Sequence, residues 1–259
     1  MNNPFVPTVL RFDSLPSTNT EAARQAAAGA PEGLVVVARE QTAGRGRQQR
    51  VWSSPRDAGL YLSVLLRPRL PAVEWPLLTL AAALAVSDAL EETCALRTDI
   101  KWPNDLLAGG RKLCGILAET VESERGRACV VGIGVNLKAS AYPPELRASA
   151  TSIEEATGAL AGDNSLLAGV DSLIESLVRA VGRRYARLQS EGGARETRRE
   201  WSARSSYAEG RRVRVRLDGE SFEGVTRGLE PDGALRVESE GGAVRTVRAG
   251  DVTALRAAL

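Results

Sequence analysis

Apolar positions recur along this chain with two different periods, and the change of period divides it. Residues 9–12 form a short strand pattern, followed by Ser17-Thr18-Asn19-Thr20-Glu21 and an alanine-rich helix pattern that stops at Gly29. Thr18 and Glu21 stand at the spacing of a capping box. Residues 34–38 are a continuous Val-rich run, which predicts a buried strand. Residues 41–54 are polar and rich in Gly and Arg, which predicts a long loop, and 61–66 read as a strand. Residues 73–92 predict a long helix with a broad apolar face, central to the core. A strand is expected at 98–102, and Gly109-Gly110 predicts a hairpin turn between 105–107 and 112–121. In the apolar strand 129–137, Gly132 and Gly134 allow a neighbour to come close to the backbone, and Pro143-Pro144 ends the run. Amphipathic helices are expected at 166–188 and 194–204.

After Gly210 the period falls to two. Val213, Val215 and Leu217 alternate with polar residues, and similar runs follow at 221–227, 234–238, 243–247 and 252–255. Turn signals at Asp218-Gly219, Asp232-Gly233, Gly241-Gly242 and Gly250-Asp251 separate them. Five short strands in this space predict a small barrel. The expected architecture is therefore α+β, with one domain over 1–208 and a second over 209–259.

Composition narrows the chemistry. Aromatics are only 4% of the chain, so the core must be built from Ala, Val and Leu. The net charge of +2 lacks the basic excess of a bulk nucleic-acid binder. The longest apolar stretch, 77–86, is too short for a bilayer, and Met1-Asn2-Asn3-Pro4 does not read as a signal peptide. Cys94, Cys114 and Cys129 are odd in number and widely spaced, which fits buried thiols in a reducing cytoplasm. The chain has no His, which excludes Ser–His or Cys–His nucleophiles and imidazole zinc sites. Of 34 basic residues only Lys101, Lys112 and Lys138 are lysines. Lysine is a compact point charge that can approach a single atom where the planar arginine fork cannot.

Five segments carry candidate chemistry. Gly44-Arg45-Gly46-Arg47-Gln48-Gln49-Arg50-Val51-Trp52 offers free backbone N–H groups, guanidiniums for an anion and an indole for stacking. Read alone, it is equally a solvated basic loop. Lys101-Trp102-Pro103-Asn104-Asp105 offers oxygen ligands for Mg²⁺ beside a positive charge, although Pro-Asn-Asp is also ordinary turn chemistry. Lys112 follows the hairpin at the rim of an apolar strand. Asn136 ends the glycine-bearing strand Gly132-Ile133-Gly134-Val135-Asn136, as either a ligand contact or a turn cap. Ser17-Thr18-Asn19 could bind a neutral polar ring or cap a helix. Together they supply an anion cradle, metal oxygens, lysines and ring-binding groups, in one order.

This set resembles the biotin protein ligases. The most specific pieces are Gln41-Thr42-Ala43-Gly44-Arg45-Gly46-Arg47, Lys101-Trp102-Pro103-Asn104-Asp105 and Gly132-Ile133-Gly134-Val135-Asn136. The stretch from Thr226 to Leu235 looks like the family's SH3-like C-terminal domain. The resemblance implies a mixed-sheet catalytic domain similar to class II aminoacyl-tRNA synthetases and lipoate ligases. It implies biotin contacts at Ser17, Thr18, Asn19, Gln41, Gly44, Arg45, Gly46, Arg47, Lys112 and Gly115. ATP contacts are implied at Arg45, Arg47, Arg50, Trp52, Lys101, Asn104, Asp105 and Asn136, with Mg²⁺ at Asp105 and Asn104. Lys112, Arg45 and Arg47 are the implied catalytic cations. Gln49 stands where many relatives have Gly, and Arg227 is a candidate contact from the second domain.

The implied reaction makes biotinyl-5′-AMP from biotin and ATP, then moves the biotinyl group to a lysine of a biotin carboxyl carrier protein. Neither step needs an enzyme nucleophile, in keeping with a chain that lacks His. With only 16 residues before Ser17, a monofunctional form without a helix-turn-helix is expected, binding no DNA and no membrane, as a monomer or homodimer. Two alternatives stand beside this reading: a lipoate–protein ligase, and a non-catalytic nucleic-acid-binding regulator.

Overall fold

The computed structural model describes residues 5–158, 164–217 and 219–255, without the side chains of 164–168. The N-terminal tetrapeptide and Asp218 of one expected turn lie outside the described residues.

The strands between Thr8 and Asn136 build a seven-stranded mixed sheet. Its strands are β1 (Thr8–Phe12), β2 (Leu34–Ala38), β3 (Gly59–Leu66), β4 (Asp99–Lys101), β5 (Asp105–Ala108), β6 (Arg111–Val121) and β7 (Ala128–Asn136). They lie in the order β1-β2-β3-β7-β6-β5-β4. Only β1 and β2 are parallel, joined by helix α1 (Thr18–Ala27). Each later pair is antiparallel, and β5 and β6 are joined by the expected Gly109-Gly110 turn, where both glycines have positive φ.

The two faces of the sheet differ. Leu60, Leu62, Val64 and Leu66 of β3 join the main core, together with Val131, Ile133 and Val135 of β7. Against them pack α2 (Pro76–Cys94), α4 (Asn164–Leu188) and α5 (Gly193–Ala203). On the other face α1 buries Ala22 and Ala26 on Val36, Leu65 and Val130. Successive strand side chains alternate between faces, so Tyr61, Ser63, Gly132 and Gly134 belong to the α1 side.

Several expectations shift. Ser17, not Thr18, is the N-cap, and its side chain makes no capping bond. Thr18 cannot cap because its hydroxyl is held by Gln41 and Ser63, while Glu21 pairs with Arg24. The run judged too short for a membrane sits in a longer helix. Counting its leading turn, residues 72–94 reach a span's length and hydropathy. This helix is the core helix, and 67% of its most apolar window is buried inside the protein. Its Asp88 accepts from Arg184 of α4 and from Arg204. A short helix, α3 (Ile153–Thr157), was not expected; Ser152 caps it by accepting from the Glu155 N–H.

From Glu209 a five-stranded antiparallel sheet follows: β8 (Glu209–Leu217), β9 (Glu220–Leu229), β10 (Leu235–Ser239), β11 (Val244–Val247) and β12 (Asp251–Ala254). Its order is β11-β10-β9-β8-β12. Val213, Val215, Leu235, Val237 and Val252 form its inner face, as the period-two pattern requires. The buried Trp102 indole donates to the Gly233 carbonyl at 3.0 Å and ties this sheet to the first.

Candidate active site

The site floor is a pair of side-chain rows crossing the first sheet. Ser63, Gly132 and Leu117 are register partners, and so are Tyr61, Gly134, Gly115 and Asp105 two residues along. A Cβ on Gly132 would stand 2.2 Å from Asn19 Oδ1, and one on Gly134 would stand 2.6 Å from Trp52 Nε1. The glycines therefore let the first turn of α1 and the indole of Trp52 rest directly on the strands.

Residues 41–54 arch over this floor. Gln41 N donates to Ser54 O, Trp52 N to Gly44 O and Gly46 N to Arg50 O, at 2.7–3.1 Å. Gln48 and Gln49 have φ of 54° and 58°, the left-handed region that favours glycine. A side chain there costs ~1 kcal/mol per residue.

Under the arch lies a cavity of about 230 Å³. Ser17, Thr18, Asn19 and Gln41 line one part, Arg45, Gly46 and Arg47 the arch, and Asn104, Asp105, Lys112 and Gly115 another part. A second cavity, about 1510 Å³, adjoins it. It runs past Lys101, Asn136 and the wall of Tyr142, Leu146 and Ala150 to Tyr207 and Arg211 at the C-terminal sheet. The two cavities share Arg50, Val51, Trp52, Asp105, Lys112 and Leu146.

Lys112 stands at that junction. Its Nζ lies 2.7 Å from Asp105 Oδ1 and 5.2 Å from the centre of the Trp52 ring. The approach to Asp105 is off-axis, so Oδ1 is buried without a directed hydrogen bond and the contact is Coulombic. The backbone around Lys112 is clamped: its N–H donates to Ser149 O at 2.7 Å, and its carbonyl accepts from Thr151 N at 2.9 Å. Asn136, only 4% exposed, donates from Nδ2 to Lys112 O at 3.4 Å and Thr151 O at 2.9 Å. It thus acts on the Lys112 segment as a brace.

The loop arginines all have partners inside the protein. Arg45 reaches Thr20 and Glu119 at 3.3 and 3.5 Å. Arg47 donates to Asn104 Oδ1 and twice to Gly250 O, each at 3.3 Å. Arg50 pairs with Asp251. Burial opposes ionisation of Asp251, but the Arg50 hydrogen bond and the charges of Arg50, Arg47 and Lys101 outweigh it and hold the carboxyl below its ordinary range. The turn Gly250-Asp251, read from sequence only as a turn, therefore latches the arch to the second sheet. Arg227 lies apart from this cluster, paired with Glu238 at 2.6 Å.

The metal expectation narrows. Asn104 Oδ1 faces a guanidinium, and its Nδ2 donates to Ile116 O at 2.7 Å, so it is engaged inside the protein. Asp105 keeps a carboxylate oxygen with no directed hydrogen bond. No cluster of three acidic or thiol ligands exists among the described residues. One carboxylate plus phosphate oxygens is a donor set that suits Mg²⁺. Cys94, Cys114 and Cys129 are all free. Burial pushes the Cys129 thiol up to about 12 and Cys114 higher still, so neither supplies a thiolate nucleophile.

Sequence reasoning missed Ser63, Glu119, Val51, the 141–150 wall and Asp251. Ser63 left a signal, as the one small polar side chain inside an otherwise apolar and aromatic strand. The others became visible only through contacts.

Two joined cavities on the α1 face of a mixed sheet, arched by an Arg-rich loop and closed by a second small sheet, define a class: an α+β domain with a two-chambered, cation-lined site. A family model described as "Biotin/lipoate A/B protein ligase family" matches residues 11–136, and "Biotin protein ligase C terminal domain" matches 210–253. The chain is 38% identical over 249 residues to the bifunctional ligase/repressor BirA of Bacillus subtilis, covering 94% of this chain and 73% of that one. It is 37% identical over 246 residues to a biotin–[acetyl-CoA-carboxylase] ligase of Mycobacterium tuberculosis, covering 93% and 86%. The biotin protein ligase of Aquifex aeolicus in complex with biotin and ATP superposes with a TM-score of 0.80 at 25% identity, covering 97% of this chain and 100% of that one. This chain belongs to the biotin protein ligase family.

Proposed function

We propose that this protein activates biotin with ATP as biotinyl-5′-AMP and transfers the biotinyl group to a lysine of a biotin carboxyl carrier protein. The observation that carries the reading is the position of Lys112, a third exposed, where the two cavities meet. In the first step a biotin carboxylate oxygen attacks the α-phosphorus and pyrophosphate leaves. In the second, the carrier's ε-amine attacks the acyl carbon and AMP leaves. Two anions must touch, so catalysis is positioning plus charge stabilisation. The smaller cavity takes biotin, its ring toward Thr18 and Gln41 and its carboxylate toward Lys112. The larger takes ATP along Lys101, Asp105 and Arg50. Lys112 exchanges its contact with Asp105 for the two reacting oxygens.

Mg²⁺, held by Asp105 together with ATP's own phosphates, would supply charge neutralisation for the leaving pyrophosphate. Free cysteines and the need for ATP fit a cytoplasmic setting. An ATP–pyrophosphate exchange assay with biotin, with lipoate and with no acid tests the reading. Exchange with biotin alone supports it. Exchange with lipoate alone makes the protein a lipoate ligase, and salt-dependent nucleic-acid binding without exchange makes it a regulator.

A further inference from the structure

Ser63 lies in the middle of β3, the central strand Gly59–Leu66, and is 0% exposed. It lines neither of the two cavities, yet its Oγ is 2.7 Å from Thr18 Oγ1 and 2.6 Å from Asn19 Oδ1. Asn19 fits there only because Gly132, the register partner of Ser63, has no side chain. A hydroxyl in such a place costs stability unless it is bonded, and here the direction of the Ser63 bond is forced.

The chain of donors starts at acceptors that cannot donate. Asn19 faces Glu119 Oε2 at 2.6 Å and the Leu117 carbonyl at 3.3 Å, so the atom on that side is Nδ2. Asn19 Oδ1 therefore faces Ser63, which must give it its single proton. Thr18 Oγ1 is left beside a Ser63 oxygen whose proton is used. It also lies 3.1 Å from Gln41 Oε1, identified as oxygen because it accepts the Thr18 N–H at 2.8 Å. The Thr18 proton goes to one of these oxygens. Only lone pairs remain on the side of Thr18 that lines the cavity.

We infer that Glu119, Asn19 and Ser63 form a buried relay that makes Thr18 a hydrogen-bond acceptor, and that Ser63 is a specificity-determining positioning residue. The pocket then selects an acid whose ring carries an N–H, such as the cyclic urea of biotin, over a ring without one, such as a dithiolane. This rests on the biotin reading proposed above. Ser63 acts through Thr18 and touches no substrate.

The test uses the full chain and biotin-dependent ATP–pyrophosphate exchange. Ser63→Ala is expected to raise KM for biotin roughly tenfold, the loss of about one net hydrogen bond. Both kcat and KM for ATP should stay within about twofold of wild type. Preference for biotin over biotin methylated on either ring nitrogen should fall about tenfold, because only the longer 3.1 Å contact to Gln41 then holds the Thr18 proton, which can turn outward. In a Thr18→Val background, Ser63→Ala is expected to add less than about twofold, as coupled residues require. Asn19→Ala, which frees the Ser63 proton to turn onto Thr18, should weaken the same preference, and it carries the test if Ser63→Ala does not fold. Full additivity of Ser63→Ala and Thr18→Val, or an unchanged preference in both single variants, overturns the relay while wild-type exchange upholds the biotin reading. Absence of biotin-dependent exchange in the wild type removes the reading and the relay with it.

Discussion

Replacing Lys112 by alanine removes the one cation at the junction of the two cavities that sits within 3 Å of the Asp105 carboxylate (2.7 Å). The magnitude follows from its surroundings. A unit charge about 4 Å from a reacting anion contributes roughly 4 kcal/mol at an effective dielectric constant of ~20. Lys112 is 34% exposed, so screening trims that to about 3 kcal/mol, the cost of deleting one oxyanion donor. That is roughly a hundredfold in rate. The fold is expected to survive, because the backbone at this position is held by Ser149, Thr151 and Asn136 rather than by the side chain. Lys112→Arg should recover little, since a planar fork does not fit between the Trp52 ring and Asp105 as a single ammonium does. The assay is biotin-dependent ATP–pyrophosphate exchange, run beside carrier labelling from supplied biotinyl-5′-AMP. Exchange should fall about a hundredfold, and labelling from supplied adenylate by much less. An alanine variant that exchanges within about threefold of wild type would refute the assignment of Lys112.

Other outcomes follow from the same geometry. Arg47→Gly loses three contacts, to Asn104 and Gly250, and should release adenylate about tenfold faster. Bystander proteins would then be biotinylated, and wild-type retention of labelled adenylate on rapid gel filtration counts against the arch as a lid. Asp251→Ala unlatches the arch from the second sheet. Its partner Arg50 is 62% exposed, so the melting temperature should move by less than about 2 °C. Trypsin cleavage after Arg47 and Arg50 should nevertheless accelerate severalfold, and equal cleavage of variant and wild type would dismiss the latch. Asp88→Asn removes the carboxylate that pairs with Arg204 and one of the two that pair with Arg184, which keeps Glu200, and should cost about 2 kcal/mol in urea unfolding at pH 7. Burial opposes ionisation of Asp88, but hydrogen bonds from the two arginines outweigh it and hold the carboxyl below its ordinary range. Its contribution is thus complete above about pH 4 and fades as pH falls through the lowered value. A gap between the proteins that already closes at pH 5 contradicts this assignment.

The latch, the relay and Lys112 share a physical design. Charged groups near the site are paired inside the protein through exchangeable contacts: Arg50 with Asp251, Arg45 with Glu119, Lys112 with Asp105. An incoming carboxylate or phosphate then replaces one anion by another instead of meeting bare cations. The uncharged groups, Thr18, Gln41 and Asn136, are fixed by directed bonds that ligand binding need not break.

Periodicity alone was enough to locate the strands and helices around the site, because an alternating or 3.6-residue pattern is imposed by burial of one face. It located β2, β6, β7, α2 and the five strands after Glu209 to within a few residues. The motif segments around Gly44, Asn104, Lys112 and Gly132 were equally legible, since glycine, lysine and paired Asn-Asp are chemically distinctive at short range. The capping role went to the wrong residue because Gln41 and Ser63, which claim Thr18, come from other strands and loops. The bracing of the Lys112 segment by Asn136, which also lines the larger cavity, was hidden for the same reason. What the sequence determined by itself was the set of chemical groups and the elements that carry them. Their pairing was decided only in the folded chain, where Arg47 meets Gly250 across 203 positions and Asn19 meets Glu119 across 100. Hydrogen bonds and ion pairs act over a few ångströms in space, and no local pattern along the chain encodes contacts that sheet register and packing create.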